Sequence, residues 1–360
     1  MPFLYDKQFS REEILKKVGD ISQIGGVKPY ELTEGNQKGV KAVDFRTGTG
    51  FGFTVLPGRG MDISSADYNG IPLCWHSATG AVAPEYFESE GAGWLRSFYG
   101  GLVHTCGLTY LGAPCNDKGQ ELGLHGRISN IPAKSVYADA GWQGDEYLMW
   151  VQGKVRETAV FGENLLLSRK VLAGLGETHF HLHDIVENLG YQKTEFMILY
   201  HINLGFPVLD ENSQLILPTK SIKPRDAEAK KGLKQYNKFT SPQPDFKEQV
   251  FYHEAIPDKK GNVTIALVNK KINNNQGLGI YITYSTKELP NLIQWKMLRE
   301  GMYVLGIEPA NCLVEGRAKE RKRGTLQFLK PGEKREFHLE IGVLTSYGEI
   351  KHLESSKSKK

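Results

Sequence analysis

Two histidines and one glutamate stand in stretches that would hold a side chain rigidly. His125 lies between glycines in "GLHG", and flanking glycines let a backbone approach a ligand closely. His201 lies in the apolar, strand-like stretch "LYHINLGFP", where an imidazole needs a partner or a task. Glu308 ends the apolar stretch "MYVLGIEP", and Pro309 stops the strand just after it. A glutamate that accepts a proton and a histidine that donates one would make an acid–base site that works near neutral pH.

Each of these three residues also has a plain structural interpretation. His125 fits a surface loop, His201 fits a core histidine bonded to a neighbouring carbonyl, and Glu308 fits an exposed strand end. The chain carries no GxSxG nucleophile motif, and no Walker or dinucleotide glycine pattern opens a helix. An acid–base site therefore depends on the three side chains converging in one cleft.

A second group of histidines allows a rival interpretation. The stretch "THFHLHD" places His179, His181 and His183 on one face of a predicted strand, because side chains alternate with a period of two. Such a row could bind zinc together with Asp184 or another carboxylate. Histidines on a solvent-facing strand are common, and no further ligand spacing supports a site. A metal-dependent isomerase that uses this row is a third hypothesis, and the favoured site has no metal.

Composition and charge describe an ordinary globular protein. The 360 residues are 40% hydrophobic and 24% charged, which allows a large core. The net charge is only +4, and the basic run "GRAKERKRG" at 316–324 is typical of a solvated turn, which argues against nucleic-acid binding. The four cysteines form no CxxC pair, and Cys106 and Cys312 are predicted to be buried free thiols. Without a signal peptide or a membrane-length apolar run, we expect a cytoplasmic protein with no membrane partner.

The spacing of apolar residues predicts an all-β fold. Short alternating stretches rich in Val, Ile, Thr, Tyr and Phe recur along the chain, separated by Gly, Asn, Asp and Pro. One short helix is predicted at about residues 10–20, where the first turn fits a capping box. Residues 220–250 are predicted to form an insertion loop or a short helix with coil. We expect one β-sandwich domain over residues 1–346, followed by a flexible basic tail over 347–360.

The same motifs, in the same order, resemble those of the galactose mutarotase (aldose 1-epimerase) superfamily. "GLHG", "YHINLGFP" and "GIEP" are similar to its first histidine turn, its histidine strand and its glutamate strand end. "VLPGRGMDISSADYNGIPLCW" is similar to an early hairpin of that superfamily. "PGRGMDI", "GGLVHTCGL", "LHGR" and "GIEPAN" resemble a divergent, largely uncharacterised bacterial branch. The resemblance extends from about residue 25 to residue 346.

The resemblance implies a β-supersandwich of large twisted antiparallel sheets with a sugar site on a concave face. It implies that Glu308 is the general base for the anomeric hydroxyl and that His201 is the general acid for the ring oxygen. His125 would bind beside that oxygen. The partner would be a small-molecule sugar, the enzyme would need no cofactor, and it would be a monomer or homodimer.

Further substrate-binding residues follow from the resemblance alone. Arg96 is similar to the family's sugar-binding arginine, and Gln294 in "LIQWKM" is similar to a glutamine of a family strand. The motifs of the branch itself contribute four more residues. Because arginine forks onto carboxylates and phosphates, the resemblance allows an acidic or phosphorylated sugar, or a ketose, as substrate. The four residues from the branch are Arg59, His104, Arg127 and Arg317.

The predicted function is therefore a cofactor-free sugar epimerase of carbohydrate metabolism. In its simplest form it interconverts the α and β anomers of an aldose or of a modified or acidic sugar. Two alternatives remain open, because one fold hosts many functions. They are a non-catalytic carbohydrate-binding protein, and a ketose or sugar-phosphate epimerase or isomerase.

Overall fold

A computed structural model describes residues 1–358 and consists mainly of antiparallel β-strands. This confirms the predicted all-β class. The strands, in chain order, are β1 (Phe3–Leu4), β2 (Lys7–Gln8), β3 (Gly26–Glu31), β4 (Lys41–Arg46), β5 (Phe51–Leu56), β6 (Asp62–Tyr68), β7 (Ile71–Pro72), β8 (His104–Leu108), β9 (Cys115–Asp117), β10 (Gln120–Leu122), β11 (Lys134–Gln143), β12 (Glu146–Thr158), β13 (Asn164–Gly174), β14 (His179–Asn188), β15 (Thr194–Leu204), β16 (Ser213–Ile216), β17 (Thr219–Pro224), β18 (Gln249–Ala255), β19 (Asn262–Asn269), β20 (Leu278–Ser285), β21 (Asn291–Arg299), β22 (Met302–Ala310), β23 (Gln327–Leu329) and β24 (Lys334–Leu344).

Two large sheets form the body of the fold. One has eight strands in the order β11-β12-β13-β14-β24-β20-β19-β16. The other has seven strands, in the order β17-β18-β21-β22-β15-β23, with β8 also paired to β15. A five-stranded sheet, β3 to β7, and the hairpins β1-β2 and β9-β10 complete the set. Large antiparallel sheets are what the resemblance to the mutarotase superfamily predicted.

Strand β15 shows how the seven-stranded sheet divides its two faces. Ile198, Tyr200 and Ile202 belong to the large core cluster, which also contains residues of the eight-stranded sheet. Met197 and Leu199 belong to a second cluster. Because side chains alternate along a strand, the side chain of His201 points to the same face as those of Met197 and Leu199. That face is the one away from the main core. The candidate site lies on that outer face.

A buried polar network ties the two large sheets together behind that face. The guanidinium of Arg169 on β13 lies 2.6 Å from Asp184 on β14 and 2.8 Å from Asp62 on β6, and all three side chains are fully buried. Tyr200 donates a hydrogen bond to Asp184 at 2.7 Å, and the hydroxyl of Thr105 accepts one from Arg169 at 2.8 Å. The network therefore holds β15 at Tyr200, next to His201, and β8 at Thr105, next to His104.

Helices are few and short. They are α1 (Arg11–Leu15), α2 (Ala227–Gly232), α3 (Arg317–Arg323) and α4 (Tyr347–Ser358). In the described part of the chain, six 3-10 helices cover Ile21–Gln23, Gly35–Gln37, Pro84–Tyr86, Gly93–Arg96, Ile128–Asn130 and Leu233–Gln235. Within residues 1–358, no helix is long and apolar enough to cross a membrane.

The predicted N-terminal helix and insertion are found in modified form. Ser10 and Glu13 make the reciprocal capping-box contacts, but α1 is shorter than the predicted residues 10–20. The segment 220–250 contains most of β17, then α2 and a 3-10 turn, and the first residues of β18. Strand pairing of β17 with β18 therefore replaces part of the expected coil.

Two basic segments predicted to be solvated are ordered helices. The run 316–324 forms α3, whose Arg317 and Glu320 side chains are buried. The predicted tail after residue 346 begins as α4, where Ile350 is fully buried and Glu354 lies 2.7 Å from Lys270. Ile350 packs in a small apolar cluster, which explains why this segment is a helix and not a free tail. The end of the predicted tail, residues 359–360, lies outside the described residues.

Candidate active site

His201 and Glu308 meet on the outer face of the seven-stranded sheet. Strands β15 and β22 pair with Ile202 opposite Ile307, and this register brings His201 opposite Glu308. The Nε2 atom of His201 lies 3.3 Å from Oε1 of Glu308, with only 6% and 3% of the two side chains exposed. A contact this close between two buried titratable groups on paired strands suits proton transfer, because a small tightening on ligand binding would bring them to hydrogen-bond distance.

His125 approaches this pair from a tight turn. Its φ is 55°, an unusual conformation that occurs mostly where the surrounding structure enforces it. The turn is fixed by bonds from the His125 N–H to the Gly112 carbonyl at 3.0 Å and from the Gly107 N–H to the His125 carbonyl at 3.1 Å. A side chain at Gly126 would lie 2.3 Å from the Gly107 carbonyl oxygen, which explains the glycine after the histidine. The His125 and His201 ring centroids are 6.0 Å apart.

The three side chains line one cavity of about 850 Å³. Its size exceeds that of a single sugar ring, and its walls offer flat apolar surfaces as well as polar groups. Other prominent side chains around it are Trp75, Trp94, Phe98, Arg225, Glu248 and Trp295. The convergence that the sequence analysis required is therefore present.

Burial shifts the pKa values of all three groups toward their neutral forms. Burial and the nearby charge of Glu248 raise the pKa of Glu308 to about 8. Burial and the proximity of His125 lower the pKa of His201 to about 3, and burial and Arg225 lower that of His125 to about 4. Near pH 7 the resting pair is a carboxylic acid beside a neutral imidazole. The pair thus holds one proton, which can lie on either partner without changing the total charge.

One wall of the cavity is built from residues that the sequence analysis did not single out. Glu248 accepts a hydrogen bond from Trp295 Nε1 at 2.9 Å and pairs with Arg225 at 2.7 Å. Arg225 also lies 2.8 Å from Asp226. Arg225, Asp226 and Glu248 all fall in the segment predicted to be an insertion loop. The segment has little periodicity, so its sequence gives no signal that these three residues would meet.

Arg59 does not line the cavity, contrary to the expectation that it grips substrate. Its guanidinium is fully buried and donates to the carbonyls of Ser129 at 2.8 Å, Ser97 at 3.0 Å and Val82. These bonds occupy the donors that an anionic substrate would need. Arg59 is instead a structural residue that joins three separate segments of the chain.

Arg127 and Arg96 are exposed and lie outside the cavity lining. Arg96 pairs with Glu88 at 3.2 Å, and both side chains are largely in solvent. Arg127 precedes the 3-10 turn Ile128–Asn130 and does not line the cavity, although His125, two residues earlier, does. Neither arginine supports the expected anion-binding role.

Three further expected binding residues are buried beside the site but do not face its cavity. His104 lies opposite His201 on β8 and is fully buried against Trp94, Phe98 and Tyr99. The remaining two use their polar atoms within the protein. Gln294 bonds to His253 at 3.0 Å and to the Tyr236 carbonyl at 2.7 Å, and Arg317 pairs with Asp117 at 2.6 Å.

The histidine row on β14 lies far from this chemistry. His179, His181 and His183 point away from the core, on the outer face of the eight-stranded sheet. Asp184 points the opposite way and is fully buried against Arg169. The row therefore cannot use Asp184 as a ligand, and it lies on the other side of the sandwich from the cavity. A metal-dependent reaction at Glu308 that uses this row is ruled out by the geometry.

This fold and this cavity define a protein of the galactose mutarotase-like class, as the motifs predicted. A crystal structure of a candidate aldose 1-epimerase from Klebsiella pneumoniae subsp. pneumoniae MGH 78578 matches with a TM-score of 0.87 and 29% identity, over 92% of this chain and 87% of that one. A galactose mutarotase-like protein from Clostridium acetobutylicum matches with a TM-score of 0.63 and 14% identity, over 89% and 99%.

Residues 37–343 match the family model described as Domain of unknown function (DUF4432), and the chain belongs to that family. Galactose 1-epimerase from Lactobacillus acidophilus NCFM shares the fold at a TM-score of 0.51 and 12% identity, over 89% of this chain and 99% of that one. No curated protein matches the sequence. The family assignment agrees with a divergent branch of the superfamily.

Proposed function

We propose that the protein interconverts the anomers of a sugar by opening and closing its hemiacetal ring. The observation that carries the proposal is the buried His201–Glu308 contact of 3.3 Å at a cavity large enough for a sugar. The names of the structural neighbours, candidate aldose 1-epimerases and mutarotase-like proteins, support the same reaction class.

The reaction needs two proton movements, and the pair supplies both. Transfer of the shared proton from Glu308 to His201 creates a carboxylate and an imidazolium. The carboxylate then removes the proton of the anomeric hydroxyl, while the imidazolium protonates the ring oxygen and the bond from that oxygen to the anomeric carbon breaks. Rotation of the resulting aldehyde and the reverse transfers close the ring on the other face. His125 is placed to contact the ring oxygen or a neighbouring hydroxyl.

The cavity favours a neutral sugar over an anionic one. Arg225 is already paired with Asp226 and Glu248, so its charge is neutralised before a ligand arrives. Glu315 lines the same cavity and pairs with Lys319 at 3.2 Å, while Glu308 is uncharged near pH 7, so three carboxylates face two cations. A phosphate or carboxylate would meet net negative walls, whereas hydroxyls could bond to the same acids and the apolar face of a sugar could stack on the tryptophans.

Exchange spectroscopy by NMR provides the test. Each sugar of a panel of neutral aldoses, uronic acids and sugar phosphates is measured for anomer exchange in D₂O with wild type and with Glu308→Gln. We expect accelerated exchange of a neutral aldose, absent in the variant, with no deuterium on carbon. Deuterium entering a carbon position would indicate enolisation and favour a ketose or sugar-phosphate epimerase. Binding without any exchange would favour a carbohydrate-binding protein.

A further inference from the structure

A compact trio of potential metal ligands lies on the outer face of the eight-stranded sheet. His183 on β14 and His338 on β24 are directly opposite each other in the strand pairing. Glu336 lies two residues before His338 and therefore on the same face of β24. One ligand atom from each of the three lies within 4.8 Å of the other two. Because two paired central strands carry them, the backbone positions are fixed.

The two imidazoles are close neighbours across the strand pair. Their ring centroids are 4.4 Å apart and the ring planes differ by only 10°, so the rings are stacked, and one ring must turn before both can bind a single ion. The Nε2 atom of His183 lies 3.4 Å from Oε2 of Glu336, and it is buried without a hydrogen-bond partner. In the tautomer with its proton on Nδ1, this imidazole has a lone pair on Nε2 that is free to bind a cation.

Glu288 orients the second imidazole from outside the trio. Its Oε1 lies 3.0 Å from Nδ1 of His338, and its Oε2 accepts the His338 backbone N–H at 2.7 Å. A carboxylate on one ring nitrogen fixes the tautomer, so the other nitrogen, Nε2, is left as a ligand. Metal-binding histidines characteristically have such a carboxylate partner.

A neighbouring trio of the same composition lacks these features. His179 and His181 lie on one strand, with Glu340 on the next, and the two imidazole rings meet at 86°. Their nearest carboxylates, Glu177 and Glu340, are 3.7 and 3.8 Å away, too far for a hydrogen bond that would fix a tautomer. This second trio therefore provides a natural comparison on the same face of the same strand.

We propose that His183, Glu336 and His338 bind a divalent zinc-like ion that clips β14 to β24. Two imidazoles and one carboxylate are a ligand set that zinc accepts, with water in the fourth position. The three side chains are 38%, 57% and 56% exposed, so water can reach the ion and the side chains have room to turn toward it and reach the ~2 Å bond lengths of zinc. The site is remote from the His201–Glu308 cavity and serves stability, not turnover.

The proposal is tested with zinc itself on the untagged full-length chain. Calorimetric titration of wild type should show one tight zinc ion per chain, and zinc should raise the melting temperature, because an ion that binds only the folded state stabilises it. His183→Ala and His338→Ala should each weaken zinc binding by ~10-fold or more, and Glu288→Gln should weaken it by about 10–100-fold. His181→Ala is the matched control and should bind as wild type does.

Several outcomes would overturn the proposal. Wild-type zinc affinity in His183→Ala, or an equal loss in His181→Ala, would remove the trio as the site, and millimolar binding in every variant would show only nonspecific histidine contacts. Melting curves without zinc confirm that each variant folds. Anomer exchange should be unchanged by a chelator, so failure of this proposal and failure of the proposed reaction give different results.

Discussion

Replacing Glu308 by glutamine should abolish turnover and, at the same time, make the protein more stable. The amide keeps the shape of the side chain but cannot accept a proton, so anomer exchange should fall by several orders of magnitude. The stability gain comes from the carboxyl group itself, which is buried and has a pKa of about 8 instead of its ordinary value of 4.5. An acid that is uncharged in the folded state but ionised in the unfolded chain favours unfolding.

The magnitude follows from the shift. A raised folded-state pKa means that the contribution of Glu308 to stability is fully present below pH 4.5 and is lost as the pH rises toward 8. By pH 7 the loss is about 3 kcal/mol, at ~1.4 kcal/mol for each pH unit between the unfolded pKa and the working pH. Glutamine never ionises, but its extra N–H group needs a partner. We therefore expect a net gain of about 1–3 kcal/mol at pH 7 and almost none at pH 4.5.

Urea denaturation of both proteins at pH 4.5, 6, 7 and 8 checks this expectation. The difference between variant and wild type should grow with pH and level off above about pH 8. Glu300→Gln is the matched control, since Glu300 is exposed and its replacement should change stability equally little at every pH. A variant that is less stable than wild type by a constant amount would refute the reasoning, because it would mean that Glu308 is ionised in the folded protein.

Four other results are expected. Anomer exchange should stay constant from pH 7 to 5 and fall above about pH 8, because the His201–Glu308 pair keeps its single proton between the pKa values of about 3 and about 8; a decline near pH 6.5 would contradict this. His201→Asn should reduce turnover by ~10²-fold or more with an unchanged circular dichroism spectrum, whereas insoluble protein would favour a structural role. Arg169→Met should lower the free energy of unfolding by about 3–5 kcal/mol in urea titrations, because two buried carboxylates lose their partner; a neutral result would mean that they protonate without cost. Arg59→Ala should lower the melting temperature but should not selectively raise KM for charged sugars. Arg127→Ala should change neither the melting temperature nor that KM. A selective rise in KM for charged sugars in either variant would restore the anion-binding interpretation.

The sequence was sufficient for the fold class, and it singled out two residues, His201 and Glu308, whose side chains lie together in the structure. His201 and Glu308 each stand in an apolar strand bounded by glycine or proline, and such strands pair in a large sheet. Their order along the chain carries the resemblance to the superfamily. What the sequence alone does not contain is the register of β15 with β22, which decides that the two side chains face each other.

The expected arginines show the limit of motif reasoning. Glycines around Arg59 and Arg127 indicate a close backbone approach, but they do not say which way a side chain points or which carbonyls it meets. The charged wall that the structure shows is formed by Arg225 and Glu248. Both belong to one segment without periodicity, and they lie near its opposite ends. Arg169 reads as an ordinary strand residue, and only its burial against carboxylates from two other strands reveals its importance.

The direction of the two central pKa shifts explains why the site is built on a rigid sheet. A carboxylic acid beside a neutral imidazole and the corresponding ion pair hold the same single proton, so a polar substrate can convert one form into the other without exchange with solvent. That conversion requires the 3.3 Å contact to persist in both forms. A flexible loop would separate the groups or admit water, and the shifts would then relax toward ordinary values. The paired strands, held from behind by Arg169 and Tyr200, prevent this. The buried pair therefore lowers stability at neutral pH, and in the proposed reaction the same two residues act as base and acid.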